Sequence, residues 1–378
     1  MKVGILVFTA VEELDFVGPW EMLGMWSLVA GKPATANHGH ELYGCMIGFD
    51  SNTVVSSLQF ERLTNLSDMK KAFKQAVNKI EIETSSQCNR HCAYCPNSMP
   101  DMGHRRRNND FLDVKVFTKI LEDLKEIDYD QKISLVGLNE FFMHEENFEY
   151  LELAKKMLPK CQLTIYSNGD YITQDYILRA EKAGLGMLVI SFHMQEGKPW
   201  VVDDVLSRAQ KFSKRTGLQL VLTDFTKNER LEFQAHMGGL HVTAGLVNWK
   251  AAGHNWGGLV DAGKNVPCDG TPCQLPVNVL CISHEGDYTL CCNVPRERTP
   301  GNIEHGAVMG SVMDYPSIFH AYASDAMLYW RQHSFSTKQI PTLCQNCSGR
   351  NSSGNELNKA LAEHVEQQHR FVKRPKVA

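Results

Sequence analysis

The sequence predicts an α/β protein, a partial (β/α)6 barrel followed by a small cysteine-rich C-terminal domain. Three observations carry this. Short β-rich runs alternate with helical stretches between residues 79 and 247, the alternation stops after about Trp249, and cysteines then crowd the chain as far as Cys347. A length of 378 residues exceeds one average domain of about 100–200 residues. Hydrophobic content of 43% and charged content of 22% are those of a folded chain rather than a disordered or fibrous one.

Taken in order, Val3–Thr9 and the stretch Pro19-Trp20-Glu21-Met22-Leu23 suit one βα unit, with proline near the first helical turn. From Gly31 to Gln59 no period stands out, and the segment reads as a linker or appendage. Asp68–Asn78 suits a polar helix, and Lys79–Thr84 alternates as a strand that runs into the first cysteine group. Further strands are expected at Lys132–Val136, Gln162–Tyr166, Met187–Phe192, Gln219–Thr223 and His241–Val247, with helices at Asp113–Ile127, Glu146–Met157, Thr173–Ala183 and Val201–Lys214. Parallel neighbours need crossover connections of a dozen or more residues, so this alternation implies a parallel sheet. Six units fall short of the eight that close a TIM-type barrel, which leaves a barrel with an open side and its chemistry at the C-terminal strand ends. The expected division is an appendage and linker over 1–78, the barrel over 79–250, the cysteine-rich domain over 251–350 and a polar tail over 351–378, with Asn355–Gln368 helical.

Lys+Arg 39 against Asp+Glu 43 gives a net charge of −4, and charge runs are confined to Arg105–Arg107 and the Lys373-Arg374-Pro375-Lys376 tail, which argues against nucleic acid as the main partner. No apolar run approaches the roughly 20 residues that cross a bilayer. Glu12, Glu13 and Asp15 stand where a signal peptide would be basic and then apolar, so a cytoplasmic protein with no membrane partner is expected. In such a chain twelve cysteines read as metal ligands rather than disulfides.

Cys88, Cys92 and Cys95 are spaced C-x3-C-x2-C directly after a strand. Three thiolates in eight residues can wrap one corner of a 4Fe-4S cubane and leave one iron open to an exogenous ligand. A structural zinc knuckle with His91 or His104 as fourth ligand is the competing assignment. With Tyr94 before the last cysteine, the motif resembles that of the radical S-adenosylmethionine superfamily. The resemblance implies a catalytic 4Fe-4S cluster whose open iron binds S-adenosyl-L-methionine, and reductive cleavage of that cofactor to a 5′-deoxyadenosyl radical that abstracts hydrogen. Gly137-Leu138-Asn139-Glu140-Phe141 stands where the family carries Gly-Gly-Glu-Pro, so Gly137 and Glu140 are kept while one glycine and the proline are lost. Gly137, Asn139 and Glu140 are thereby candidates near the methionine amino group. Tyr166-Ser167-Asn168-Gly169 resembles the family's Thr-Asn-Gly and puts Ser167 and Asn168 at the ribose or carboxylate, with Ser191 as a similar candidate. Ser and Asn at strand ends also serve simply to turn the chain.

The second cysteine region contains Cys268, Cys273, Cys281, Cys291, Cys292, Cys344 and Cys347, with Gly286 between Cys273 and Cys291. It resembles the auxiliary-cluster extension called SPASM or, when shortened, twitch; Gly301-Asn302-Ile303 and Arg331 fit that pattern too. The resemblance implies one auxiliary 4Fe-4S cluster on Cys273, Cys291, Cys344 and Cys347, with Cys268 or Cys292 as alternates. Adjacent thiolates rarely reach the same cubane, which makes Cys292 a bystander, and Cys45, Cys161 and Cys281 read as small buried hydrophobes.

Val3–Gly24 resembles the opening of the isonitrile hydratase and intracellular-protease superfamily. That superfamily needs a cysteine nucleophile on a strand-to-helix elbow, and none fits before the barrel, so the segment is expected to lack that chemistry. The expected function is a radical S-adenosylmethionine enzyme, an oxidoreductase or a bond-forming maturase. It would modify a peptide or protein, the preferred class, or oxidise a small molecule, and would draw electrons from a donor such as flavodoxin or ferredoxin. The alternative is a cysteine-rich metal or redox sensor without catalysis. His193, Gln195, Asp224, His236, His254 and Trp256 fall on the side where substrate should sit.

Overall fold

The computed structural model describes residues 57–99, 109–193, 199–226, 228–261, 272–293 and 308–348, with 362–363, 366–367 and 371–372. These all fall within one compact unit, Glu41–Ala378. The expectations placed on Val3–Gly24, Cys45, His104, Arg105–Arg107, Gln195, Cys268, Gly301-Asn302-Ile303 and most of Asn355–Gln368 lie outside the described residues.

Ten described strands form one sheet: β1 Lys79–Ile82, β2 Lys132–Leu135, β3 Gln162–Ser167, β4 Met187–Ser191, β5 Val221–Thr226, β6 Arg230–Met237, β7 Leu240–Val247, β8 Val279–Ile282, β9 Asp287–Thr289 and β10 Val308–Ser311. Their order is β10-β9-β8-β1-β2-β3-β4-β7-β6-β5. The stretch β8-β1-β2-β3-β4-β7 is parallel throughout. Its strands are short and almost wholly buried, as parallel strands covered on both faces must be.

Five helices pack along the sheet: α1 Leu66–Ala76, α2 Val114–Glu126, α3 Asn147–Met157, α4 Gln174–Lys182 and α5 Val202–Thr216. Each begins and ends within two residues of its expected bounds because the sequence carries its caps. Asn65, Asp113 and Thr173 accept backbone N–H groups at the starts of α1, α2 and α4, and Gly217 closes α5 with φ +74°. In α2, Val116, Phe117, Ile120, Leu121 and Leu124 form one buried stripe, so the helix lies on the sheet through that face. Two further helices, α6 Ile318–Ala323 and α7 Asp325–Phe335, cover the β8 side. From α7, Arg331 donates to the Gln59 carbonyl at 2.8 Å and lies over the Tyr322 ring. It is a buried brace between segments far apart in sequence.

The parallel set differs from the expected one in two members. Gln219–Thr223 was expected as a parallel strand, yet β5 sits antiparallel at the sheet edge, with Val221, Leu222 and Phe225 exposed. It connects to β7 through β6 by two hairpins rather than a helical crossover; Gly238-Gly239 makes the second turn, with φ +55° at Gly238. The remaining parallel position, beside β1, is filled by β8 from the cysteine-rich region.

Candidate active site

Because β1, β2, β3, β4 and β7 run parallel, the segments that leave their C-terminal ends meet at one edge of the sheet. In α/β sheets that edge is where ligands bind. The three cysteines follow β1, the Gly137–Glu140 turn follows β2, Ser167 and Asn168 end β3, Ser191 ends β4, and His254 and Trp256 follow β7. All of them line one cleft of about 950 Å³ including its open mouth. The structure therefore brings together every described residue expected at the catalytic cluster and its cofactor. Asp224 and His236 are not among the cleft residues: Asp224 pairs with Arg230 at 3.2 Å, and His236 stacks on His241.

Cys88, Cys92 and Cys95 are present as half-buried thiols. Burial pushes the Cys88 thiol up to about 12, with the Glu140 carboxylate next in effect and Cys95 and Cys92 adding to it. Three thiolates beside a carboxylate form a site that only a cationic centre can hold ionised, and a cluster with one open iron fits that donor set. The loop is braced from the β3 side. Arg90 donates to both carboxylate oxygens of Asp170, at 2.8 and 2.5 Å, while the Asn89 amide donates to Asp170 at 2.7 Å and the Asn168 amide to Asn89 at 2.7 Å. Such a two-pronged guanidinium contact fixes orientation as well as distance.

Glu140 is the hub of the β2 and β3 ends. Its carboxylate accepts from the Ser167 hydroxyl and the Asn168 N–H, both at 2.7 Å, and from the Phe142 N–H at 3.2 Å. Burial nonetheless raises its carboxyl to about 7, against the downward pull of those three donors. The sign of the stability effect follows. A carboxyl raised in the fold favours the native state below its unfolded value near 4.5 and withdraws that contribution as the pH climbs through about 7. Glu140→Gln is expected to remove a slope of roughly 3 kcal/mol across that window in the metal-free protein. Urea unfolding on either side of the window measures it.

Gly137 is glycine for a steric reason. A Cβ there would fall 2.1 Å from Oε1 of Glu83, which receives the Leu138 N–H at 2.5 Å. The other Glu83 oxygen faces Nδ1 of His284 at 3.0 Å, in a pair with almost no solvent exposure. Asn139 donates to Ser85 at 3.2 Å. The turn that lacks the family's second glycine and proline is thus held from below by Glu83.

Aromatic rings form another part of the cleft wall. Tyr94 stacks on Trp249 at 4.5 Å and 9°, its hydroxyl lies 3.1 Å from Nδ1 of His193, and its carbonyl accepts from the Trp256 indole at 3.0 Å. Burial, then the Arg90 charge, lowers His193 to about 4, so both features keep the imidazole neutral. Sequence reasoning missed Arg90, Asn97, Trp249 and Asn293 in the cleft and Glu83 beneath it. Only Arg90 carried a signal, as a residue inside the cysteine motif.

In the second cysteine region, Cys273, Cys291, Cys344 and Cys347 are buried thiols. Burial lifts the Cys291 thiol well above its ordinary value, and Cys347, Cys273, Cys281 and Cys344 each add to the shift, which places these sulfurs around it. Cys292 is disulfide-bonded, which departs from the expectation of metal ligands rather than disulfides and removes it as an alternate ligand. Cys281 contacts Glu81 at 3.6 Å, and Cys161 donates to the Tyr129 carbonyl at 3.2 Å.

Residues 82–216 match the Radical SAM superfamily. Over 114 residues, 30% of this chain, the sequence is 27% identical to the S-adenosyl-L-methionine-dependent 2-deoxy-scyllo-inosamine dehydrogenase of Niallia circulans, and the match spans 44% of that enzyme. The fold is similar to the crystal structure of BtrN in complex with AdoMet and 2-DOIA, with a TM-score of 0.50 and 21% identity over 72% of this chain and 93% of the other. No helix among the described residues is long and apolar enough to cross a membrane. Residues 82–216, the segment similar to the Radical SAM superfamily, contain Cys88, Cys92 and Cys95 and most of the residues that line the cleft.

Proposed function

We propose that the protein is a radical S-adenosylmethionine oxidoreductase that abstracts hydrogen from a small hydroxylated substrate. The observation that carries this reading is the convergence of three thiols, the Gly137–Glu140 turn, Ser167, Asn168 and Ser191 on one cleft. When bound, a reduced 4Fe-4S cluster with S-adenosylmethionine supplies a 5′-deoxyadenosyl radical. Cys88, Cys92 and Cys95 hold that cluster, and Arg90 and Asp170 keep their loop against the β3 end. Glu140, with the polar groups that end β3, receives the cationic amino group of the cofactor, whose charge favours the ionised carboxylate. Tyr94, Trp249 and Trp256 keep water from that wall of the cleft.

Cys273, Cys291, Cys344 and Cys347 are proposed to hold one auxiliary 4Fe-4S cluster in a SPASM- or twitch-type region over 251–350, beside a barrel over 79–250. A small molecule is favoured over a peptide by the dehydrogenase to which the domain is similar. We further propose a cytoplasmic setting, which keeps such thiols reduced, and a flavodoxin or ferredoxin as electron donor.

Anaerobic reconstitution tests the reading. Two cubanes correspond to about eight irons per chain, and dithionite with S-adenosylmethionine is expected to release 5′-deoxyadenosine. Bound zinc without acid-labile sulfide or nucleoside release would overturn it in favour of a metal sensor.

A further inference from the structure

His254 stands out in the cleft by what it lacks. It is 5% exposed, and neither Nδ1 nor Nε2 has a hydrogen-bond partner. Asn293 is 3% exposed and its Nδ2 is likewise unmatched. Both line the same cleft as the three cysteines. Leaving such groups buried without partners costs about 1–3 kcal/mol each, and a bound ligand that completes them removes that cost.

The segment around His254 is not loose. Asn255 is clamped to the Cys344–Ser348 turn: its N–H donates to the Ser348 hydroxyl at 3.0 Å, its amide to the Asn346 carbonyl at 2.6 Å, and its side-chain oxygen accepts from the Ser348 N–H at 3.0 Å. On the other side the Trp256 indole is bonded to the cysteine loop. Gly257 packs so closely on Asn293 that a Cβ would lie 3.3 Å from its carbonyl oxygen. The backbone is fixed at every neighbour, and the one imidazole between them faces the cleft unpaired. His193, which also lines the cleft, already has Tyr94.

Burial lowers His254 to about 4, so its ring is neutral at physiological pH and offers one acceptor and one donor nitrogen. The Asn293 amide adds a donor. An uncharged set of this kind matches hydroxyl or neutral amino groups and is poorly suited to a carboxylate or phosphate, which would call for arginine or lysine.

We propose that His254 and Asn293 are the substrate-recognition residues of the cleft, which read hydroxyl or amino groups of a small polyhydroxylated substrate. The proposal rests on the small-molecule reading above and adds the residues that select the substrate. Sites built to pair a substrate hydroxyl reject analogues that lack it.

The test is equilibrium dialysis of the anaerobic, cluster-loaded protein with 2-deoxy-scyllo-inosamine as probe in the presence of S-adenosylmethionine. His254→Leu is expected to weaken probe binding about tenfold to a hundredfold, and His254→Gln, which keeps a donor and an acceptor, to recover it to within about threefold. Iron content and S-adenosylmethionine affinity should be the same in all three proteins. Equal probe binding by the leucine variant would overturn the proposal, as would a parallel fall in S-adenosylmethionine affinity. Failure of the unaltered protein to bind the probe while it cleaves S-adenosylmethionine would also overturn it and leave the radical reading intact. Probe binding lost in the leucine variant but without nucleoside release by any protein would do the reverse.

Discussion

Replacing Cys92 by alanine is expected to lower the iron bound per chain by about four atoms and to cut 5′-deoxyadenosine release by roughly a thousandfold or more. The loop that carries Cys88, Cys92 and Cys95 would supply one thiolate to each of three irons of the proposed cubane, and two thiolates cannot retain it. The fold should survive, because Cys92 is half-buried and the loop is anchored by Arg90, Asn89 and Asp170 rather than by the cysteines. Two controls give the result its meaning. Cys161→Ala removes a buried thiol that bonds to Tyr129 and should leave iron and nucleoside release unchanged at a cost of about 1 kcal/mol in stability. Cys344→Ala should also lose about four irons yet retain S-adenosylmethionine cleavage, since its sulfur belongs to the group around Cys291. Iron analysis and product chromatography read all three. Full iron content in the Cys92 variant would refute the assignment of the motif.

Gly137→Ala is expected to be strongly destabilising. The added carbon would lie 2.1 Å from Oε1 and 2.4 Å from the carboxyl carbon of Glu83, a fully buried side chain that cannot swing into solvent. To make room, Glu83 must release the Leu138 N–H and the His284 ring, and breaking a buried pair of this kind costs about 3–5 kcal/mol. For a chain of this size that corresponds to a fall in Tm of roughly 5 °C. Gly239→Ala has nothing within 4 Å of its Cβ and should change Tm by no more than about 1 °C. Thermal unfolding by circular dichroism compares the two, and equal melting temperatures would show that Glu83 does not hold the turn.

The cysteine motif, the turn after β2 and the polar end of β3 were legible because each is a short local pattern tied to a strand end. A parallel sheet gathers strand ends at one edge regardless of their distance along the chain. The helices were legible for a similar reason, since caps such as Asn65, Asp113 and Thr173 and the apolar stripe of α2 are written within each element.

What could not be read was the choice of neighbour. Gln219–Thr223 and Val279–Ile282 are both short apolar runs, and nothing within either says which takes the parallel place beside β1 and which forms an edge hairpin. The Gly238-Gly239 turn, between Met237 and Leu240, was the available hairpin signal. It is a weak signal, because Arg230–Met237 mixes charged with apolar residues and does not announce a strand. Glu83, His254 and Asn293 were invisible in their roles for a deeper reason. An isolated acid, imidazole or amide gains its meaning only from burial and from the partners it does or does not have.

The pairing of β1 with β8 has a consequence for how the molecule is made. The two strands touch through residues 200 positions apart, as the Glu81 and Cys281 contact marks. A ribosome adds about 5–20 residues per second, so the edge of β1 waits on the order of 10–40 s for its partner to be synthesised. During that interval a buried, hydrogen-bonding strand edge stands open, the condition under which nascent sheets pair wrongly with other chains. Yield in a heterologous host should therefore respond to slower translation or to added chaperones even where the finished fold is stable.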